Sequence, residues 1–215
     1  MALMRLGVLA SGRGSNLGAL LDAEARGTLR ANVALVLSDR PDAPALERAR
    51  ERNVAAECID PGSRRARLTA EVEARYVEAL RAHGVECVVL AGFFRIVGPT
   101  LLDAYPDRVV NIHPSLLPSF PGLDAQAQAL THGVRISGCT VHLVEAAVDA
   151  GPILAQAAVP VSEDDTVQSL SERILSQEHR ILPETIYRIA THGFVREGRR
   201  IRWNREPRPR QGEIA

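Results

Sequence analysis

At 215 residues, 46% of them hydrophobic, the chain can bury a sizeable core as one α/β unit or as two tightly fused halves. Its 26 basic residues balance 26 acidic ones, so no net field draws it toward nucleic acid or an anionic membrane. Every basic residue is arginine, which excludes a Schiff-base lysine and the phosphate-gripping lysine of a Walker A loop.

In chain order, short apolar runs alternate with helical patterns. LGVLA (6–10), VALVL (33–37), CVVLA (87–91) and RVVNI (108–112) are mostly continuous rather than alternating, as buried parallel strands are. Between them LGALLDAEARG (17–27, stopped by Gly27), ALERARERN (45–53) and a charged segment from about Leu68 to His83, ended by Gly84, read as helices. The first half is therefore β-α-β-α-β-α-β-β. After Gly138, CTVHLV alternates with period two and ILAQAAVPV is a second strand; the segment 167–190 is a long amphipathic helix that Pro183 should kink. FVREGRRIRWNREPRPRQGEIA reads as a hairpin turning near Gly198, then a frayed tail.

The expected fold is α/β and Rossmann-like, a mostly parallel central sheet with helices on both faces. One domain should span 1–215, as an N-terminal half to about 108, a C-terminal half over about 109–203 and a tail at 204–215. Cys58, Cys87 and Cys139 are odd in number and widely spaced, so neither a disulfide frame nor a zinc knuckle is suggested, and a reducing cytoplasm is expected. No stretch approaches the roughly 20 apolar residues of a spanning helix, and no targeting signal is readable at the N-terminus.

SGRGSN (11–16) follows the first strand and opens the first helix, where free backbone N–H groups and the helix dipole suit an anion. A dinucleotide fingerprint would need glycine at 17, where Leu17 stands, so a single phosphate on a small substrate fits better than NAD. The bland alternative is a tight turn capped by Ser15 or Asn16 with nothing bound. Asp39, after the second strand, reads as a helix or turn cap ahead of a ribose ligand.

VVNIHPSLLPSFPG (109–122) ends a buried strand on Asn111 and His113, at the carboxyl end where open parallel sheets bind ligands. An asparagine amide can donate to an oxyanion and a histidine can exchange a proton near neutral pH, which together suit a tetrahedral intermediate of acyl transfer. No nucleophile elbow, no cysteine beside histidine and no lysine is present, so direct attack by the acceptor is favoured over a covalent intermediate. Asp149, in EAAVDAGP just before a glycine that permits a sharp turn, offers a charge partner for a His113 imidazolium. Asn-x-His at a strand end is also a common cap or satisfied core pair, and His142 in TVHLV shares that ambiguity.

SGRGSN, VVLAGFFRIV, NIHPSLLPSFPG and EAAVDAGPILAQ, spread in order over about residues 5 to 190, together resemble the glycinamide ribonucleotide (phosphoribosylglycinamide) formyltransferases. The resemblance implies the formyltransferase fold and transfer of the formyl group of 10-formyltetrahydrofolate to the glycinamide amine in purine biosynthesis, with no metal. It assigns catalysis to Asn111, His113 and Asp149, and substrate binding to Gly14, Ser15, Asn16, Gln177 and Glu178. Folate contacts would come from Phe94, Arg95, Ile96, Val97, Asn111, Glu145, Ala146, Ala147, Val148 and Asp149. Of Arg64, Arg65 and Arg67, the last is taken for the folate tail. Phe94 stands where the family often has methionine, and Asp124 where a histidine is common.

The implied partners are small molecules, not nucleic acid or membrane, with a homodimer as an option. Methionyl-tRNA formyltransferases carry an extra C-terminal domain and formyltetrahydrofolate deformylases an N-terminal one; this chain has room for neither. A rival of another class, a nucleic-acid-binding module, rests on Arg196, Arg199, Arg200, Arg202, Arg205, Arg208 and Arg210. A solvated hairpin face and tail is the simpler account, since aromatic stacking partners are nearly absent.

Overall fold

A continuous apolar run hides both of its sides only within a sheet covered by helices on both faces. The computed structural model, which describes residues 3–62 and 66–205, has that arrangement. In chain order the elements are β1 (Met4–Leu9), α1 (Ser15–Ala25), β2 (Ala31–Ser38), α2 (Pro44–Glu51), β3 (Ala55–Cys58), α3 (Ala70–Ala82), β4 (Cys87–Leu90), α4 (Pro99–Ala104) and β5 (Val109–His113). There follow α5 (Ala125–Thr131), β6 (Ile136–Leu143), β7 (Ile153–Pro160), α6 (Val167–Thr191), β8 (Phe194–Glu197) and β9 (Arg200–Trp203).

Seven strands form one sheet in the order β3-β2-β1-β4-β5-β6-β7, and β8 and β9 pair separately as a hairpin. The first five strands are parallel; β6 and β7 are antiparallel additions beside β5. Strand order reverses between β1 and β4, so a crevice opens beyond their carboxyl ends.

Alternate side chains feed two cores. Leu6, Val8, Val36 and Val110 pack with Leu17 and Leu20 of α1 and with Leu170, Ile174 and Ile186 of α6. Leu9, Leu37, Val88 and Val109 pack on the opposite face with Tyr76 and Leu80 of α3 and Leu101 of α4. Each of these fully buried leucines and isoleucines contributes about 1.5–3 kcal/mol. The period-two pattern of β6 has the same origin: Cys139, Val141 and Leu143 join the α6 side, while Thr140 and His142 face the other way.

The strands expected from sequence agree with those observed, and α6 continues through Pro183 as a single element of 25 residues, opened by a Thr166–Ser169 capping box. The direct β-β step expected between β4 and β5 instead contains α4. Six residues are too few to show helical periodicity, and what starts α4 lies elsewhere in the chain. The buried Glu73 carboxylate on α3 accepts the Gly98 and Leu101 backbone N–H groups.

Candidate active site

The glycine loop opens α1 without a side-chain cap. Gly14 takes the N-cap position at φ 69°, and neither Ser15 nor Asn16 caps the helix, contrary to the bland reading of the loop. Asn16 instead donates its Nδ2 to Glu178 Oε2 of α6, at 2.7 Å, and its buried Oδ1 has no hydrogen-bond partner among the described residues. The first-turn N–H groups thus face a cavity of about 450 Å³ bounded by Gly12–Asn16, Gly92 and the Gln168–Glu178 stretch of α6. Burial pushes the Glu178 carboxyl up from its ordinary range, against the Asn16 amide, which pulls it down. A Cβ on Gly14 would lie 2.8 Å from Ala45 Cβ and 2.9 Å from Ala45 Cα, so both backbone angle and close approach of α2 demand glycine.

On β5, Asn111 and His113 share the face of Val109, and β6 sets His142 directly opposite Asn111. His142 Nδ1 lies 2.8 Å from the Leu143 carbonyl, which only accepts, so that nitrogen carries the proton. Its Nε2 is then free to accept the Asn111 amide at 3.0 Å, which fixes which edge of Asn111 is the donor. His113 is buried, with Nε2 2.9 Å from the Phe120 carbonyl and Nδ1 3.4 Å from Asp149 Oδ2. Both partners are acceptors, an environment that suits an imidazolium.

Asp149 gathers the cluster: Gly122 N–H donates to its Oδ2 at 2.8 Å, and its Oδ1 lies 3.6 Å from His142 Nε2. Burial alone would raise its pKa, but the neighbouring His142 ring, the Gly122 N–H and His113 outweigh it and hold the carboxyl below its ordinary value. The glycine after it works differently from the sequence expectation. Asp149 itself takes the left-handed turn, at φ 50°, whereas an added Cβ on Gly151 would overlap the Leu143 carbonyl oxygen.

These residues wall a second cavity of about 520 Å³, whose apolar sides include Leu90, Phe93, Ile96, Val97 and Val148. Phe94 is 62% exposed at the join: it, Gly92, Ile112, Pro114 and Gln126 border both cavities. Asp124 borders the 520 Å³ cavity and is the left-handed N-cap of α5. Arg95 Nε donates to Asp39 Oδ2 at 2.6 Å, and the N-cap of α2 is Ala43, so Asp39 holds Arg95 rather than capping that helix. That ion pair ties the 94–97 segment to the end of β2, and Phe94 N–H is held by Ser11 Oγ.

Not every expected contact reaches a cavity. Gln177 faces away and accepts from Arg180, one helical step around from Glu178. Ala146 and Ala147 are exposed outside the lining, while Glu145 and Val148 are in it. Arg67 is exposed and donates weakly to the Val97 carbonyl at 3.5 Å, leaving Ala66 to line the wall. Arg64 and Arg65 lie outside the described residues, as do Arg208, Arg210 and the tail from 206.

Three of the C-terminal arginines are engaged within the protein. Arg196 pairs with Asp107 and Glu145, Arg199 donates to the Ala150 carbonyl and Arg202 pairs with Glu197. Those contacts tie Arg196, Arg199 and Arg202 to the protein, which weakens the cationic stripe on which a nucleic-acid reading depended. Among the described residues no group of His, Cys, Asp and Glu is placed to hold a metal, and no helix is long and apolar enough to cross a membrane.

Residues 4–186 match the formyl transferase family. A crystal structure of glycinamide ribonucleotide transformylase 1 from Symbiobacterium toebii superposes with a TM-score of 0.90 at 53% identity, covering 94% of each chain. The phosphoribosylglycinamide formyltransferase of Mycobacterium tuberculosis is 45% identical over 195 residues, 91% of this chain and 89% of its own. That of Bacillus subtilis is 41% identical over 182 residues, 85% of this chain and 92% of its own.

Proposed function

The chain belongs to the formyl transferase family, and we propose that it moves the formyl group of 10-formyltetrahydrofolate to the amine of 5'-phosphoribosylglycinamide, giving the N-formyl product and tetrahydrofolate. The observation that carries this reading is the pair of cavities meeting beside Asn111 and His113. One has an uncapped helix N-terminus suited to a phosphate, and the other has apolar walls and a volume suited to a flat heterocycle.

Gly14, Ser15 and Asn16 would hold the substrate phosphate through backbone N–H groups, with Asn16 and Glu178 meeting the ribose or glycinamide end. Residues 94–97 with Glu145, Val148 and Asp149 would enclose the pterin, and the Arg95 guanidinium is engaged with Asp39. The neutral amine attacks the formyl carbon and a C–N bond forms as the carbonyl electrons move onto oxygen. The Asn111 N–H not turned to His142 donates to that oxyanion. His113 joins it by exchanging the Phe120 carbonyl for the reacting group, with Asp149 balancing its charge. The C–N10 bond then breaks and the amine's proton passes to N10.

Full-length protein given both substrates should release tetrahydrofolate in step with formylated amine. Folate consumption without the amine would instead mean a deformylase, and no turnover would sink the assignment. Gly14→Ala is expected to raise KM for the phosphorylated amine about 10-fold or more while leaving KM for folate near wild type. The reason is that a left-handed non-glycine residue costs about 1–3 kcal/mol at the turn that aims the N–H groups. Equal KM values for both proteins would argue against the phosphate site. Three free cysteines, two of them buried, support the cytoplasm as its compartment. A homodimer is compatible with the same reading, and sedimentation of the active chain decides it.

A further inference from the structure

The hairpin of β8 and β9 lies beyond the family match, yet it touches the loop that carries Asp149 at two places. Arg196 extends one guanidinium N–H to Asp107, in the turn before β5, at 2.8 Å, and another to Glu145, which borders the 520 Å³ cavity. Arg199 donates to the Ala150 carbonyl at 2.6 Å, fixing the residue that follows Asp149. The hairpin itself is anchored on α6. Trp203 meets Phe194 edge-on with ring centroids 5.8 Å apart, the Arg188 guanidinium sits 4.2 Å over the Trp203 ring, and Asn204 donates to the His192 carbonyl.

We propose that this hairpin is a positioning element for folate binding: Arg196 and Arg199 grip the 145–150 loop from outside and hold it in place as a wall of the folate cavity, while the Asp149 carboxylate itself is oriented by the Gly122 N–H. The inference rests on the reading that the loop walls the folate cavity. Asp149 holds φ 50°, a conformation that a residue with a Cβ keeps only when its surroundings enforce it. Within the loop itself the backbone offers one turn hydrogen bond, Ala150 N–H to the Ala147 carbonyl at 3.4 Å, and Ala146 and Ala147 are exposed. The two arginines supply fixed points on either side of Asp149. A loop ordered in advance loses less entropy when folate binds, so the grip acts on folate affinity rather than on the chemical step.

The test compares wild type, R196A/R199A and R202A, the last removing a hairpin cation whose ion pair, with Glu197, lies within the hairpin. In R196A/R199A, KM for 10-formyltetrahydrofolate should rise about five-fold with KM for the amine substrate and kcat within about two-fold, the size expected of several part-exposed contacts. Without ligand, amide exchange at 145–150 should quicken by a similar factor. Salt should narrow the KM gap between R196A/R199A and R202A, because part-exposed ion pairs are screened. A purely structural hairpin would lower melting temperature without splitting the two KM values. If R196A/R199A matches R202A in exchange and in KM, or if exchange quickens with KM unchanged, the proposal is overturned. Wild-type turnover tests the folate reading separately, so the two failures are distinguishable.

Discussion

Alanine at His113 is expected to lower kcat about 100- to 10,000-fold, and alanine at Asn111 about 100- to 1,000-fold, with both proteins folded and binding both substrates. The size follows from what each group does. Asn111 is the amide whose orientation is already fixed by His142 Nε2, so its remaining N–H meets the oxyanion without reorganising at the moment of reaction. His113 is the group that can exchange a proton, and its partners, the Phe120 carbonyl and Asp149, are acceptors that keep it a donor. Folding should survive because both side chains face a cavity, while the strand beneath them is held by Val109, Val110 and Ile112 in the cores. The double variant should lose less than the product of the two factors, since the residues stabilise one charge together. Steady-state rates and thermal melts of the three proteins decide this: near-normal turnover in either single variant would remove that residue from the chemistry.

β1, β2, β4 and β5 were legible because a buried parallel strand writes itself as an unbroken apolar run, whereas the exposed AAEC of β3 gives no such run, and the long helices were legible because their periodicity spans several turns. Asn111 and His113 were legible for a related reason: two polar residues at the end of such a run have few places to go except the crevice. The short α4 and α5 were not, since six or seven residues do not establish a period and their starts depend on Glu73 and on a left-handed Asp124. Long-range pairs were hidden altogether. Nothing in the local pattern joins Asp39 to Arg95, 56 positions away, or Glu145 to Arg196, 51 positions away. The resemblance supplied Arg95 as a pocket residue, and it lines the 520 Å³ cavity, but its guanidinium also pairs with Asp39, which is not in that lining, so one residue of the motif serves the cavity wall and a long-range tie together. His142 was ambiguous for an instructive reason. Its alternation within β6 put it on the polar face, yet only the register that sets it opposite Asn111 says what it orients.

Asp149→Asn should be nearly isosteric and should cost about 100- to 10,000-fold in kcat at neutral pH, because it removes the negative charge facing His113 and not the shape of the loop. Two donors converge on Oδ2, the Gly122 N–H and His113 Nδ1, and an amide oxygen can still accept the first, which is why the turn should keep its form. An amide cannot balance an imidazolium, however, and its NH₂ would face His142 Nε2, which already accepts from Asn111. The pH dependence follows with a definite sign. The folded carboxyl titrates below its ordinary value of 3.8, so its contribution to stability is complete above that value and is lost as pH falls through the lower folded one. Denaturation of wild type and Asp149→Asn in urea should therefore show a stability gap that is present at about pH 5 and narrows below about pH 4. A gap that stayed constant down to about pH 2 would mean that the Asp149 carboxylate does not account for the loop's stability.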